Sequence, residues 1–514
     1  MKRIALTGLL LGLGALCSRA GDSPYTINSQ VLKENNFRNS LWMESYNVAG
    51  LAFRPFRLYN DLDISYDGEY GAFRPQQQAT ERNSISLNTS GSTYLGKFLV
   101  WGSFSFRNIF EQGVKYNAMS YEIEDDMPYF IADANPSPWQ KQEYDLQAKI
   151  ASPVLWDHIS FGLGVHYVTK VGAKQIDPTA ETYKYNIEIT PSITVDLGKG
   201  HYLGINGLYD NRFEIADPSL NNQWKSQRVY IGRGLGEAFT HKIGDNDGMQ
   251  EGMFSATRYG GGIQYGYSGD VELMADFSCI IKDELMRNNP KQPRTYGGIS
   301  QNDLTGRIEL LFGEGWSNHL WLTGEYRDTR GTEYTQAFNS SPGMQLWETL
   351  STIEMSSYRY IQARLGYDHQ FGASDERGYS WMAGAEAAFE MKDDSYYLPV
   401  STYGYTNATA GVFGAKQFKF RKSSLVIRLD AGYSLNLGGE YVYGGSYPDY
   451  PTVELYRYDI AFHTADWFRA GGKISYTINV KRVNFAFNLM ADWFRPSGMD
   501  MDRTVCKGSF GIIF

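Results

Sequence analysis

The chain has 514 residues, 42% apolar and 20% charged, with 38 Tyr and 54 Gly. That balance excludes both an oily bundle of membrane helices and a disordered acidic chain. Beyond the first twenty residues no window approaches the roughly 18 apolar residues a spanning helix needs. The formal net charge is −9. A surplus of acid excludes nucleic acid as a partner, since that requires a basic footprint.

The N-terminus reads as an export signal over residues 1–20. Lys2 and Arg3 form its basic region, Ile4 to Leu16 its apolar core, and Ser18-Arg19-Ala20 a small-x-small cleavage site. Cleavage would remove Lys2, Arg3 and Arg19 and no acid, taking the charge from −9 to −12. Cys17 suggests a lipid-modified cysteine, but bulky Leu16 precedes it where a small residue is wanted. Only Cys279 and Cys506 remain, too few for a disulfide scaffold, and they read as small strand residues.

Residues 21–57 form a mixed polar and apolar segment with a short helix expected over Ser29 to Phe37. It is too short for the globular plug of a TonB-dependent receptor. It serves either as a hatch entering a lumen or as a tail. Asn47, Ala49, Gly50 and Leu51 suit a hatch, because small residues allow close approach to a wall.

From residue 58 to 514 the pattern is strand after strand. Ile159, Phe161, Leu163, Val165 and Tyr167 alternate with Ser160, Gly162, Gly164 and His166. Leu425 to Leu437 and Val483 to Trp493 repeat the alternation. Successive strand residues face opposite sides, so one face is greasy and the other small or polar. Strands of ten or more residues exceed those of an ordinary sandwich. Short turns near Lys97, Trp156, Lys199, Gly269, Glu314, Ala373, Arg421 and Val480 alternate with longer stretches, among them 111–141, 216–254, 333–355 and 440–461. Such asymmetry marks an outer-membrane barrel, with short periplasmic turns and long outer loops. The fold class is therefore all-β: a transmembrane antiparallel outer-membrane barrel of about 18 strands, with 16 as the alternative. An even count places both termini on the periplasmic side.

Taking every second residue back from Phe514 gives Ile512 and Phe510 on one face, an assembly signal for the barrel assembly machinery. Trp101, Trp156, Trp321 and Trp381 fall near short turns, where a girdle of amphipathic rings is expected, although Trp321 lies between apolar Leu320 and Leu322. Lumen-facing candidates are Arg307, Glu309, Arg428, Asp430 and His166. The paired charges either set a transverse field across a pore or neutralise each other.

No catalytic, cofactor or metal site emerges. The seven histidines are scattered without a zinc spacing. Asp245-Asn246-Asp247-Gly248 echoes a calcium loop but lacks its third oxygen ligand and spaced Glu. The run Glu122, Glu124, Asp125 and Asp126, with Asp133 beyond, is either a solvated acidic patch or a cation-attracting one.

The export signal, the Asn47–Leu51 segment, the eighteen-strand rhythm and the closing Phe514 resemble an uncharacterised family of Bacteroidota outer-membrane barrels. That family is associated with gene clusters for TonB-dependent, SusC-like receptors and surface lipoproteins. The resemblance implies uptake or assembly beside a larger receptor and supplies no site residues. The expected partners are outer-membrane lipid, lipopolysaccharide and the assembly machinery, with a TonB-dependent receptor or surface lipoprotein as a further one. The function expected is a porin-like channel or transporter for small polar solutes, narrowed by the loops at 111–141 and 216–254. The alternative is a non-conducting accessory barrel that docks a receptor or lipoprotein, and a hydrolase is the third reading.

Overall fold

Period-2 alternation closes into a cylinder. In the computed structural model, eighteen antiparallel strands form one continuous sheet, and the first, Asn60–Gly71, pairs with the last, Arg503–Ile513. The structure describes residues 27, 29–54, 56–120, 127–222, 227–243, 251–289, 291–341, 344–373, 378–480 and 483–514. The export signal with Cys17, the acidic run 122–126 and the calcium-like 245–248 lie outside the described residues.

Closure removes the sheet edges that would otherwise need partners. It also sorts side chains. In the first strand Asp61, Asp63 and Ser65 point inward, whereas Ile64 and Tyr66 are exposed on the outer wall. Greasy outward positions recur around the cylinder, with Ile205, Ile263, Leu322 and Leu489 all exposed. Leu429, 67% exposed, belongs to the same outer band. A water-soluble protein would bury such a belt, whereas hydrocarbon accepts it.

Four features depart from the sequence reading. The stretch 333–355 is not a loop: strands Asn318–Ser341 and Met344–Phe371 continue through it as a two-stranded arm. Beyond Glu333 and Ser356 the arm's strand ladder, among the described residues, runs only between its own two strands. The long stretches 111–141 and 216–254 fold inward as a three-stranded sheet of Ile131–Ala132, Gln227–Gly234 and Glu237–Ile243. The stretch 440–461 carries most of a helix, Pro451–His463, which is α2 below. Finally, Trp101 and Trp321 do not join a girdle. Trp101 is 8% exposed and donates its indole N–H to Tyr59 Oη at 2.9 Å, and Trp321 packs over Gly366 inside the cylinder. Trp156 and Trp381 are exposed. Local alternation does not say which face meets lipid, and that is why the four could not be separated beforehand.

Candidate functional site

The lumen is occupied from both ends. At the short-turn end lies the segment before the first strand. Ser29 caps the helix Gln30–Arg38 (α1), its Oγ accepting from the Leu32 amide at 3.3 Å. Two 3-10 turns follow, Leu41–Met43 and Val48–Ala52. Trp42, Met43, Val48 and Leu51 are buried against wall residues Leu99, Met274 and Leu311.

Asn47 is the best-anchored residue of this segment, with 0% exposure. Its side-chain nitrogen donates to Gln264 Oε1 at 2.9 Å and to the Ile193 carbonyl at 3.2 Å. Its oxygen accepts from Thr194 Oγ1 at 3.0 Å, and the neighbouring Ala49 amide donates to Ser192 Oγ at 3.1 Å. The wall is cut to receive these turns: a Cβ on Gly162 would collide with the Ala49 nitrogen. Gly50 makes the same allowance for the Trp42 ring. Ion pairs complete the seat, with Lys33–Asp61 and Arg38–Asp368 each at 2.7 Å and Arg307–Glu44 at 2.8 Å.

At the long-loop end the inner sheet buries Ile131, Val229 and Ile231 against inward wall residues such as Ala216, Phe254 and Met286. Arg233 pairs with Glu333 of the wall. The tip of the inner hairpin docks on α2, where Thr452 Oγ1 donates to the Gly236 carbonyl at 2.6 Å. Asp133 is not part of a solvated acidic patch. It is buried and ion-paired with Lys174 at 3.1 Å.

Among the described residues at least two chambers lie between these occupants. The larger, about 830 Å³, lies beneath the inner sheet and α2. The smaller, about 580 Å³, reaches Gln30 and Lys33 of α1. Glu69, Arg82 and Arg107 line both, so the two adjoin. Tyrosines from three elements face the larger one: Tyr358 and Tyr360, Tyr403 and Tyr405, and Tyr456 of α2. The sequence reading missed these residues. Their signal is the spacing Tyr-x-Tyr, which places both rings of each pair on one strand face.

The lumen-facing candidates all lie on the inner wall but not at one site. Arg307 and Glu309 pair with each other, and Arg307 also holds Glu44. Arg428 and Asp430 lie 3.5 Å apart, with the Arg428 guanidinium 4.0 Å over the Phe413 ring. His166 Nε2 lies 3.1 Å from Asp145. Each of these side chains lies within ion-pairing distance of an opposite partner on its own or an adjacent strand. Phe510 is exposed on the outer wall beside Phe487, and the Phe514 amide donates to the Asn60 carbonyl at 2.9 Å, joining the two ends of the sheet.

α2 carries two perturbed groups above the chamber. Burial pushes Asp459 up to about 7, against the opposing effects of the Gln76 amide, Arg74 and Lys392. Burial, then Lys392, pushes His463 down to about 3. Among the described residues no cluster of three or more His, Cys, Asp or Glu side chains could hold a metal.

A closed eighteen-stranded cylinder with an apolar outer belt and a charged lumen defines an outer-membrane β-barrel protein. The chain belongs to a family of unknown function, DUF6850, matched over residues 48–514. No curated protein matches it in sequence. Among solved structures it is similar to the outer-membrane transporter YddB from Escherichia coli at 8% identity, covering 89% of this chain and 81% of that one, with a TM-score of 0.40. It is similar to the ferric preacinetobactin receptor BauA from Acinetobacter baumannii at 9% identity, covering 88% and 80%, with a TM-score of 0.39. It is also similar to the toluene transporter TodX from Pseudomonas putida at 13% identity, covering 92% of each chain, with a TM-score of 0.28.

Proposed function

We propose that the protein is a channel or transporter for small polar solutes, working beside a nutrient-uptake system of the outer membrane. The observation that carries this reading is the pair of adjoining polar chambers held between the inward-folded loops and the N-terminal segment. Wall side chains alone do not fill a barrel of this strand number. The loops narrow the outer mouth, and the segment before the first strand acts as a hatch at the periplasmic end, with both termini on that side. Single-channel conductance of the protein in planar bilayers, with and without residues 21–57, tests the reading. Conductance that rises on truncation supports a hatch over a channel. Silence in both forms counts against a channel.

A second reading is a non-conducting accessory that docks a TonB-dependent receptor or surface lipoprotein, in line with the Bacteroidota barrel family that the sequence resembles. The arm beyond Glu333 favours it, because Phe338, Leu346, Leu350 and Ile353 are exposed there. Loss of a co-purifying receptor on deleting residues 334–355 would support it, and unchanged co-purification would remove it.

A further inference from the structure

We infer that the larger chamber is a binding site for the carboxylate of a small, ring-bearing polar solute, with Arg364 as the residue that takes the carboxylate. The inference rests on the channel reading only for its biological setting; the site itself is argued from the charges of the chamber wall.

Almost every cation facing the chamber is already committed. Arg82 and Arg503 both pair with Glu69, at 2.9 and 2.5 Å. Arg107 pairs with Glu143 at 3.3 Å, and Lys141 with Glu111 at 2.7 Å. Arg327 pairs with Glu325 at 2.6 Å, and Lys392 lies 3.8 Å from Asp394. Arg364 differs. It lines the chamber and is exposed within it, while its neighbour Leu365 faces outward. Among the described residues it has no carboxylate within ion-pairing distance.

A guanidinium left without a counter-ion in a partly enclosed chamber attracts an anion, and its planar fork fits a carboxylate with two parallel hydrogen bonds. Most of the chamber's other charges are paired at short distance, and the two remaining carboxylates are taken up by hydrogen bonds, Glu390 by the Tyr405 hydroxyl and Asp459 by the Gln76 amide. The rings of Tyr360 and Tyr405 line the same chamber and supply apolar faces for the ring of the solute. Tyr405 is held in place by its hydroxyl, which donates to Glu390 at 2.6 Å. A volume of about 830 Å³ accommodates a monosaccharide-sized acid with water around it.

Glucuronate and glucose are a matched pair of probes, since they share a ring and differ by one carboxylate. Isothermal titration of the full-length protein in detergent reads binding whether or not the barrel conducts. Glucuronate should bind roughly 10-fold more tightly than glucose, or better, as one charge-assisted contact supplies. Arg364→Gln should remove that preference, and Arg364→Lys should keep part of it. Heat-modifiable mobility in gels establishes that each variant has folded, and if Arg364→Gln does not fold, Arg364→Lys alone must weaken glucuronate binding. Equal binding of the two probes, no binding of either, or an unchanged preference in the folded Arg364→Gln variant would overturn the inference. Binding without conductance would leave the site standing and remove the channel reading. Conductance without binding would do the reverse.

Discussion

Asn47→Ala should release the N-terminal segment from its seat without unfolding the barrel. The truncation removes the amide that satisfies Gln264 Oε1, the Ile193 carbonyl and Thr194 Oγ1. Gln264 and Thr194 are themselves fully buried, so neither gains water readily while the segment stays docked. Leaving buried polar groups unsatisfied costs about 1–3 kcal/mol each. Two such groups, partly relieved by rearrangement, give about 2–4 kcal/mol against docking. That corresponds to a roughly 30- to 700-fold shift in the docking equilibrium, taking about 1.4 kcal/mol per factor of ten. Undocking leaves the eighteen-strand ladder intact, so heat-modifiable mobility should match wild type. The assay is open probability in planar bilayers, together with protease sensitivity of residues 29–54. Gly162→Val attacks the same contact from the wall side, because its Cβ would run into the Ala49 nitrogen. If both variants insert normally and neither open probability nor protease sensitivity changes, the segment is not held by this contact and the reasoning fails.

Leu429→Arg should impair insertion at a cost of about 2–4 kcal/mol near the midplane, whereas Arg428→Ala should leave assembly intact; outer-membrane levels of the folded barrel decide, and the opposite result would reverse the two faces. Deleting Phe514 should lower barrel assembly if the closing residues form an assembly signal, measured as the heat-modifiable fraction in membranes. The seating of α2 should couple to pH through two opposing groups. Asp459 is raised from its ordinary value of 3.8 to about 7, so its protonated form favours the buried position. Taken by itself, Asp459 makes the seat firmest at low pH and weakens it as pH rises from the ordinary carboxyl range to about 7, with nothing further lost above that. His463, lowered from its ordinary 6.5 to about 3, opposes this trend, because undocking lets it take up a proton, so its contribution firms the seat as pH rises from about 3 to about 6.5. Hydrogen exchange of the 451–463 amides should therefore change little between about pH 5 and about pH 8 after correction for intrinsic rates, whereas Asp459→Asn, which leaves His463 in place, should make protection rise over that range. Equal protection at both pH values in the Asp459→Asn variant would contradict this.

The cylinder was legible because its signal is local. A strand's two faces alternate whatever lies next to it, so Ile159 to Tyr167 and Leu425 to Leu437 declared themselves without any partner, and turn spacing supplied the count of eighteen. The helix at Ser29 was legible for the same reason, since its capping hydroxyl acts within three residues. The arm at 333–355 was misread as a loop because its pairing partner is its own other half, which a linear reading does not weigh.

What fills the lumen is a different kind of information. That Asn47 meets Gln264 and Thr194, or that Gly162 yields to Ala49, depends on residues brought together across more than a hundred positions. Arg364 reads in the sequence as one arginine among many, and only the pairing of the neighbouring cations sets it apart. The barrel, its strand count and the alternation of its faces follow from backbone geometry and side-chain period, which each stretch of chain carries within itself. Which loops fold inward, which charges cancel and where space remains are settled only on closing the cylinder, because closure is what brings distant strands within hydrogen-bonding reach.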